Sequence, residues 1–282
     1  MDINKVIVYG AGTMGNGIAQ TVAQAGIPVT MIDIEQAFVD KGLASITRNL
    51  DRLVAKEKIS EDQKNEILGR ITISTERQYD ADLIIEAVIE NEDVKKELFA
   101  DLASKTNGGT ILASNTSSIP ITKIASATGK PEKVIGMHFM NPVPVMKGVE
   151  IINGEKTSVE TNEAVIELSK KLGKIPGKSN DHAGFVANRI LMPYINEGAW
   201  ALSEGVSDAE NIDLIAKTCL NMPMGPLELA DLIGLDVCVF IMDVMHAGLG
   251  NDKYAPCPKL RELVDAGNLG RKSGKGFYDY IK

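Results

Sequence analysis

The sequence predicts an α/β protein, with a doubly wound parallel sheet followed by a second, all-α C-terminal domain. In the first half of the 282 residues, short β-branched runs such as Val6 to Tyr9 alternate with segments of helical periodicity. This alternation is typical of parallel βαβ units, with helices on both faces of the sheet. From Phe185 onward, helical stretches separated by Gly and Pro follow one another without strand alternation, which indicates a separate helical domain.

The predicted elements of the first half come in a regular order. The strands are Val6 to Tyr9, Val29 to Ile32, Ile71 to Ser74, Leu83 to Glu86, Thr110 to Ser114 and Val134 to Phe139. The helices are Asn16 to Ala25, Phe38 to Lys58, Asp93 to Lys105 and Ile121 to Ala127. The segment from Gln36 to Leu68 is too long for one crossover. Its break near Ser60 predicts a helical hairpin projecting from the sheet, with Ser60 as the N-cap of the second helix.

The character of the chain changes near Asn180 to Gly184, after an extended segment at Val149 to Ile152 and a helix near Glu160 to Leu172. We therefore predict one domain over residues 1–182 and a second over 183–282. The later helices are predicted at Val186 to Leu202, Asp208 to Cys219, Pro226 to Leu249 and Leu260 to Ala266. The stretch from Met224 to Ala247 carries more apolar surface than one thin domain can cover, which predicts a homodimer through this region.

Composition excludes several classes of partner. The net charge of −8 gives no general attraction to nucleic acid or anionic lipid. The three cysteines form no C-x-x-C pair, so neither a disulfide framework nor a metal site is predicted. Apolar runs such as Leu83 to Val88 are far shorter than the roughly 20 residues that span a bilayer. The N-terminus opens into the first strand without a signal peptide, so we expect a cytoplasmic protein with no membrane partner.

A glycine fingerprint, Gly10-Ala11-Gly12-Thr13-Met14-Gly15, lies between the first strand and the first helix. In this position glycines permit a tight turn, approach of the backbone to a pyrophosphate, and close helix packing, as in Rossmann-type domains. Asp33 ends the second strand, where a carboxylate can accept hydrogen bonds from both ribose hydroxyls. Since a 2′-phosphate would meet negative charge there, NAD is expected rather than NADP. The alternative is a structural turn with a solvated Asp33.

Polar residues cluster after two later strands, as Asn115-Thr116-Ser117-Ser118 and as His138-Phe139-Met140-Asn141-Pro142. The carboxyl ends of parallel strands form the ligand crevice of an open α/β sheet. Of the three histidines, His138 alone lies at such a strand end; His182 and His246 do not. The residues by themselves leave open whether His138 is catalytic or structural.

With these motifs the chain resembles the 3-hydroxyacyl-CoA dehydrogenase family, and most closely its short bacterial 3-hydroxybutyryl-CoA dehydrogenases. The resemblance covers nearly the whole chain and rests on six ordered segments. They are Gly10 to Gly15, Ser114 to Ser118, His138 to Pro142, Gly148 to Ile152, Asp181 to Arg189 and Gly225 to Asp231.

The resemblance implies an NAD-dependent oxidoreductase that interconverts (S)-3-hydroxybutyryl-CoA and acetoacetyl-CoA, in fatty acid and butyrate metabolism. His138 would take the proton from the 3-hydroxyl, and Glu150 would hold its imidazole. A carboxylate on one ring nitrogen fixes the tautomer and leaves the other nitrogen as the base. Ser117 and Asn188 would bind the substrate and stabilise its oxyanion, with Asn188 pointing back across the interdomain cleft. The first domain then binds NAD, and the second serves substrate binding and dimerisation.

The resemblance also assigns Glu90, Lys95, Asn115 and Asn141 to the nicotinamide half of the cofactor site. For Glu90 and Lys95 the alternative is a solvated ion pair at a helix start.

Binding of an acyl-CoA substrate requires local cations in this acidic chain. Arg48, Arg52 and Lys56 are spaced so that they share one face of the predicted hairpin helix. We hypothesise that Arg48 and Arg52 hold the phosphates of coenzyme A, the alternative being a solvated helix face.

The sequence leaves two alternative functions to consider. One is a 3-hydroxyacid dehydrogenase of the 6-phosphogluconate dehydrogenase type, which uses a catalytic lysine, but no lysine lies between Asp181 and Asn188. The other is a non-catalytic dinucleotide-binding protein. The presence of all four proposed catalytic residues argues against it; they are Ser117, His138, Glu150 and Asn188.

Overall fold

The structure, a computed structural model, describes residues 2–281, which divide into two compact units. The first unit ends at His182 and the second begins at Ala183.

The first unit alternates strands and helices as far as its sixth strand, except that its third strand is followed by its fourth without a helix between them. Its strands are β1 (Val6–Tyr9), β2 (Val29–Ile32), β3 (Ile71–Ser74), β4 (Leu83–Glu86), β5 (Ile111–Ser114), β6 (Val134–Phe139), β7 (Gly148–Asn153) and β8 (Ile175–Asn180). Its helices are α1 (Thr13–Gln24), α2 (Gln36–Ala55), α3 (Glu61–Gly69), α4 (Glu92–Lys105), α5 (Ile121–Ala125) and α6 (Val159–Lys171).

Within the described part of this unit the strands form one sheet in the order β3-β2-β1-β4-β5-β6-β7-β8. The pairs from β3 to β6 are parallel, β7 runs antiparallel to β6, and β8 is parallel to β7. From β1 the chain winds outward to β3 and then crosses to β4 on the other side of β1. The boundary between β1 and β4 is therefore the switch point at which doubly wound sheets bind ligands. The predicted doubly wound sheet is confirmed, and in residues 2–182 its last two strands, β7 and β8, run opposite to the other six.

The central strands β1, β4 and β5 are buried along their whole length. Strands covered on both faces require continuous apolar runs rather than alternation, and the sequences VIVY and LIIE show this pattern. Helix α2 contributes Val39, Ile46 and Leu50 to the same core. At the start of α3, the Ser60 hydroxyl accepts from the Gln63 N–H and the Gln63 side chain accepts from the Ser60 N–H, so the predicted N-cap is confirmed as a capping box.

The second unit is helical, which confirms the predicted all-α character. Its helices are α7 (Ala187–Ser203), α8 (Ala209–Thr218), α9 (Pro226–Ile233), α10 (Leu235–Leu249) and α11 (Pro258–Asp265). Their core includes Met192, Ile195, Leu227 and Met245.

The stretch from Pro226 to Leu249, predicted as one helix, is two helices. Gly234 between them adopts a φ of +107°, a conformation that L side chains rarely reach. In the described residues no single helix has the length and apolarity to cross a bilayer; α9 and α10 meet that test together, but they are bent by 98°.

Candidate functional site

The loop between β1 and α1 has the shape that a dinucleotide phosphate needs. Gly10 has a φ of +102°, and its N–H donates to the carbonyl of Ile32 at 2.7 Å. Gly12 is the N-cap of α1, and among the residues that the structure describes no side chain caps this helix end. The first amides of α1 are therefore presented to an incoming anion, with the positive end of the helix dipole behind them.

Glycine is required at two points of this loop. A Cβ on Gly15 would lie 1.8 Å from the Gly10 carbonyl oxygen, and a Cβ on Gly10 would lie 2.3 Å from that of Ala87. A Cβ on Gly12 would meet nothing within 4 Å of the described protein. The loop is thus packed tightly against its own backbone but is open at Gly12, as expected for a surface that a pyrophosphate approaches. The residues present fit a dinucleotide.

Asp33 follows β2 directly and contacts the same loop. Its Oδ2 accepts the Ala11 N–H at 2.7 Å, and its Oδ1 accepts the Ile34 N–H at 2.8 Å. Each carboxylate oxygen keeps a second acceptor position, and the side chain is half-buried. It can therefore accept hydroxyl donors while its carboxylate is held in one orientation.

His138 and Glu150 face one another across the antiparallel pair β6–β7. The register pairs these two residues directly, and opposed residues of antiparallel strands project to the same face of a sheet. The Nδ1 of His138 lies 2.8 Å from Oε2 of Glu150, and the two side chains are 9% and 12% exposed. The contact fixes Nδ1 as the nitrogen that bears hydrogen and leaves Nε2 as the acceptor.

Glu90 holds the polar loop that follows β5. Its Oε1 accepts from the Thr116 hydroxyl at 2.6 Å, from the Ser117 N–H at 2.9 Å and from the Ser118 hydroxyl at 2.8 Å. Burial opposes its ionisation, but the charge of Lys95 and the hydrogen bonds from Thr116 and Ser118 hold the pKa of Glu90 below its ordinary value. Ser117 is thereby fixed by the carboxylate beneath its backbone.

Lys95 is buried between two carboxylates rather than solvated. It is 1% exposed, and its Nζ lies 2.5 Å from Glu86 and 3.2 Å from Glu90. The alternative of a solvated ion pair at a helix start is therefore wrong, because β4 and α4 enclose the ammonium group.

Glu86 is a residue that sequence analysis missed. It ends β4, is fully buried, and accepts from Lys95, the Val88 N–H and the Ser114 hydroxyl. The signal was available, since a carboxylate closes an otherwise apolar strand nine residues before a lysine. A buried charge needs a partner, and Lys95 is the first basic residue after Glu86 in the sequence.

The other proposed site residues of the first unit lie in the loops after β5 and β6 and on α2. The Asn115 side chain accepts the Phe139 N–H at 2.9 Å, joining the ends of β5 and β6. Asn141 is exposed in the connection after β6. Arg48 and Arg52 are exposed on α2, and within residues 2–281 neither has a carboxylate within 4.0 Å, while Lys56 caps the end of that helix.

In the second unit, Asn188 lies in the first turn of α7 and is 6% exposed.

Comparisons with known proteins extend over both units. The family model for the 3-hydroxyacyl-CoA dehydrogenase NAD binding domain matches residues 5–182, and the model for the C-terminal domain of the same enzymes matches residues 184–280. The probable 3-hydroxybutyryl-CoA dehydrogenase of Deinococcus radiodurans is 53% identical over 278 residues, covering 98% of this chain and 100% of that protein. The 3-hydroxybutyryl-CoA dehydrogenase of Bradyrhizobium diazoefficiens is 49% identical, and the match covers 99% of this chain and 96% of that protein. Among solved structures, (S)-3-hydroxybutyryl-CoA dehydrogenase from Ralstonia eutropha superposes on this chain with a TM-score of 0.96. The match covers 100% of both chains, whose sequences are 48% identical.

Proposed function

The chain belongs to the 3-hydroxyacyl-CoA dehydrogenase family and is an NAD-dependent enzyme, and on that premise we propose that it interconverts (S)-3-hydroxybutyryl-CoA and acetoacetyl-CoA with a His-Glu general base pair. The observation that carries the proposal is the buried contact of His138 with Glu150 at 2.8 Å, at the end of strand β6. Oxidation of a secondary alcohol requires a base for the hydroxyl proton, and this pair supplies one.

In the oxidative direction, Nε2 of His138 accepts the proton of the 3-hydroxyl while the C3–H bond breaks. When bound, NAD supplies the acceptor for the hydride that leaves C3. The imidazolium formed on His138 is stabilised by the Glu150 carboxylate on Nδ1, which also holds the ring in one orientation. In the reverse direction the same imidazolium returns its proton to the ketone oxygen.

Ser117 and Asn188 are proposed to bind the substrate and to donate to its oxygen atoms. A hydroxyl and a side-chain amide can both stabilise a developing alkoxide, provided that their positions are fixed before reaction. Support for Ser117 comes from Glu90, which accepts its backbone N–H at 2.9 Å.

The remaining assignments complete the proposal. Asp33 binds the ribose, and Glu90, Lys95, Asn115 and Asn141 surround the nicotinamide. Arg48 and Arg52 hold the phosphates of coenzyme A. Residues 1–182 bind NAD, residues 183–282 serve substrate binding and dimerisation, and the homodimer acts in the cytoplasm.

The decisive experiment follows the loss of NADH absorbance with acetoacetyl-CoA, beside NADPH and beside His138→Ala. We expect turnover with NADH that His138→Ala reduces by at least about a hundredfold, a typical contribution of a general acid–base residue. His246→Ala is the matched control, because His246 is a half-buried histidine paired with Asp252 in the second unit. Turnover that survives in His138→Ala would overturn the assigned base, and no turnover with either cofactor despite NADH binding would overturn the proposed reaction.

A further inference from the structure

We propose that Lys174 is a positioning residue, whose buried ammonium fixes the β6–β7 connection and so holds the His138–Glu150 pair in place relative to α1. The inference rests on the proposed function, because it concerns how the proposed base pair is held.

The burial of Lys174 is unusual for a lysine. It is 7% exposed, and within residues 2–281 no carboxylate oxygen lies within 4.0 Å of its Nζ. Burial without a counter-charge lowers the pKa of Lys174 below its ordinary value. A lysine with no ion pair is costly to bury unless its ammonium has other hydrogen-bond acceptors.

Those groups are two main-chain carbonyls of one loop. Nζ donates to the carbonyl oxygens of Val143 and Met146, the second at 2.7 Å. The loop is a single helical turn, since the N–H groups of Val145 and Met146 both donate to the Pro142 carbonyl at 3.0 Å. One isolated turn leaves its later carbonyls without helical partners, and Lys174 binds two of them at once.

The same loop connects the two strands of the proposed base pair and contacts α1. It begins after β6, which carries His138, and ends at β7, which carries Glu150. Val143 is 1% exposed, and a Cβ on Gly17 of α1 would lie 3.0 Å from the Val143 Cβ. The loop is therefore held on one side by the helix that follows the dinucleotide loop and on the other by Lys174.

The position of Lys174 is itself fixed by the end of α6. Gly173 has a φ of +71°, its N–H donates to the Lys170 carbonyl, and the Lys174 N–H donates to the Ser169 carbonyl. This is a Schellman motif, which reverses the chain at a defined residue. The lysine thus projects from a rigid helix end.

The test compares Lys174→Met, which keeps the length of the side chain but removes its charge and donors, with Lys174→Arg. We expect Lys174→Met to lower kcat for acetoacetyl-CoA reduction by at least about tenfold while KM for acetoacetyl-CoA stays within about twofold, because small misplacements of reacting groups cost this much. Lys174→Arg, which keeps a cationic donor, should retain most of the wild-type kcat. Lys174 lines a cavity of about 470 Å³ together with two exposed lysines, Lys147 and Lys171. The control variants Lys147→Met and Lys171→Met should leave kcat unchanged.

A second measurement does not depend on turnover. Hydrogen exchange of the Val145 and Met146 amides, which donate to the Pro142 carbonyl, should accelerate at least about tenfold in Lys174→Met, beyond any change in the rest of the first unit. Wild-type kcat in folded Lys174→Met, or exchange that rises equally everywhere, would overturn the positioning role. A wild-type enzyme that reduces no acetoacetyl-CoA would overturn the proposed function instead, and the exchange result would still decide the role of Lys174. If Lys174→Met does not fold, Lys174→Gln is measured in the same way.

Discussion

At the residue scale, the buried carboxylate of Glu86 binds several neighbouring residues at once. Its carboxylate joins β4 to α4 through Lys95 and to β5 through Ser114. The polar loop held by Glu90 follows β5, so the nicotinamide half of the proposed site depends on a charge that is fully buried.

We predict that Glu86→Gln lowers the free energy of unfolding by about 3 kcal/mol, because it leaves the buried Lys95 without its nearest carboxylate. KM for NADH should rise more than KM for acetoacetyl-CoA. Urea unfolding and steady-state kinetics measure the two effects.

The double variant Glu86→Gln/Lys95→Met separates charge from shape. Since it leaves no uncompensated ammonium, it should regain much of the lost stability but not the affinity for NADH. Glu92→Gln, which removes a half-buried partner of Lys96 and Lys123 at the start of α4, serves as the control and should change stability by less than about 1 kcal/mol. Equal instability of the single and double variants would contradict this explanation.

At the scale of single elements, α2 offers cations that the described protein leaves without ion pairs. We predict that Arg48→Ala/Arg52→Ala raises KM for acetoacetyl-CoA by about tenfold or more and leaves KM for NADH unchanged, because two charge-assisted contacts to phosphate are lost. The control Lys170→Ala/Lys171→Ala removes the same charge from the end of α6. An unchanged KM for acetoacetyl-CoA would contradict the assignment.

Helix α9 holds the C-terminal tail through one buried carboxylate. Asp231 is 1% exposed and accepts from the N–H groups of Phe277 and Tyr278 at 2.9 Å and from the Tyr280 hydroxyl at 3.1 Å. Burial raises the pKa of Asp231 above its ordinary value although these groups donate to it, and burial raises the pKa of Tyr280 to about 12.

The sign of the pH effect follows from that shift. Because the native carboxyl holds its proton to higher pH than the unfolded one, the contribution of Asp231 to stability is largest below the unfolded value and declines as pH rises through the native value. We predict that the stability difference between the wild type and Asp231→Asn narrows over this range. Urea unfolding at several pH values from acid to neutral measures it; a difference that widens with pH would contradict the prediction.

The elements were predictable to different degrees. Five of the six predicted strands have the observed bounds, because most of these parallel strands are continuous apolar runs. The exception is β5, which begins at Ile111 instead of Thr110. Strand β8 was missed, since Ile175 to Asn180 contains a proline and a glycine and is mostly exposed. The break at Gly234 was missed because apolar residues continue on both sides of it.

Long-range contacts account for the parts of the site that the sequence did not predict. The pairing of His138 with Glu150 depends on the register of β6 and β7, which the family resemblance implied but no local pattern encodes. Glu86 and Lys174 are bound by groups nine and about 30 residues away, beyond the reach of helical or strand periodicity.

At the scale of the whole molecule, the exposed apolar residues of the second unit support the proposed homodimer. Leu232, Val237 and Phe240 on α9 and α10 are 48%, 39% and 49% exposed. Large apolar side chains that are exposed together mark an interface when they form one patch. We predict a sedimenting mass near twice the 30.3 kDa of one chain and a shift toward the monomer in Val237→Glu/Phe240→Glu. A wild-type mass near that of one chain would contradict the dimer.

Strand β8 has a consequence for self-association. An open sheet edge is a template on which identical chains can join into continuous sheets, and proteins avoid this with prolines and charges at the edge. Here the outermost strand carries Pro176, which has no N–H to offer, and the exposed Lys178. If the same edge of a second chain docked here, Pro176 would leave one hydrogen bond unmade and the Lys178 ammonium groups of the two chains would repel each other. We therefore expect this edge to protect the protein from fibrillar aggregation.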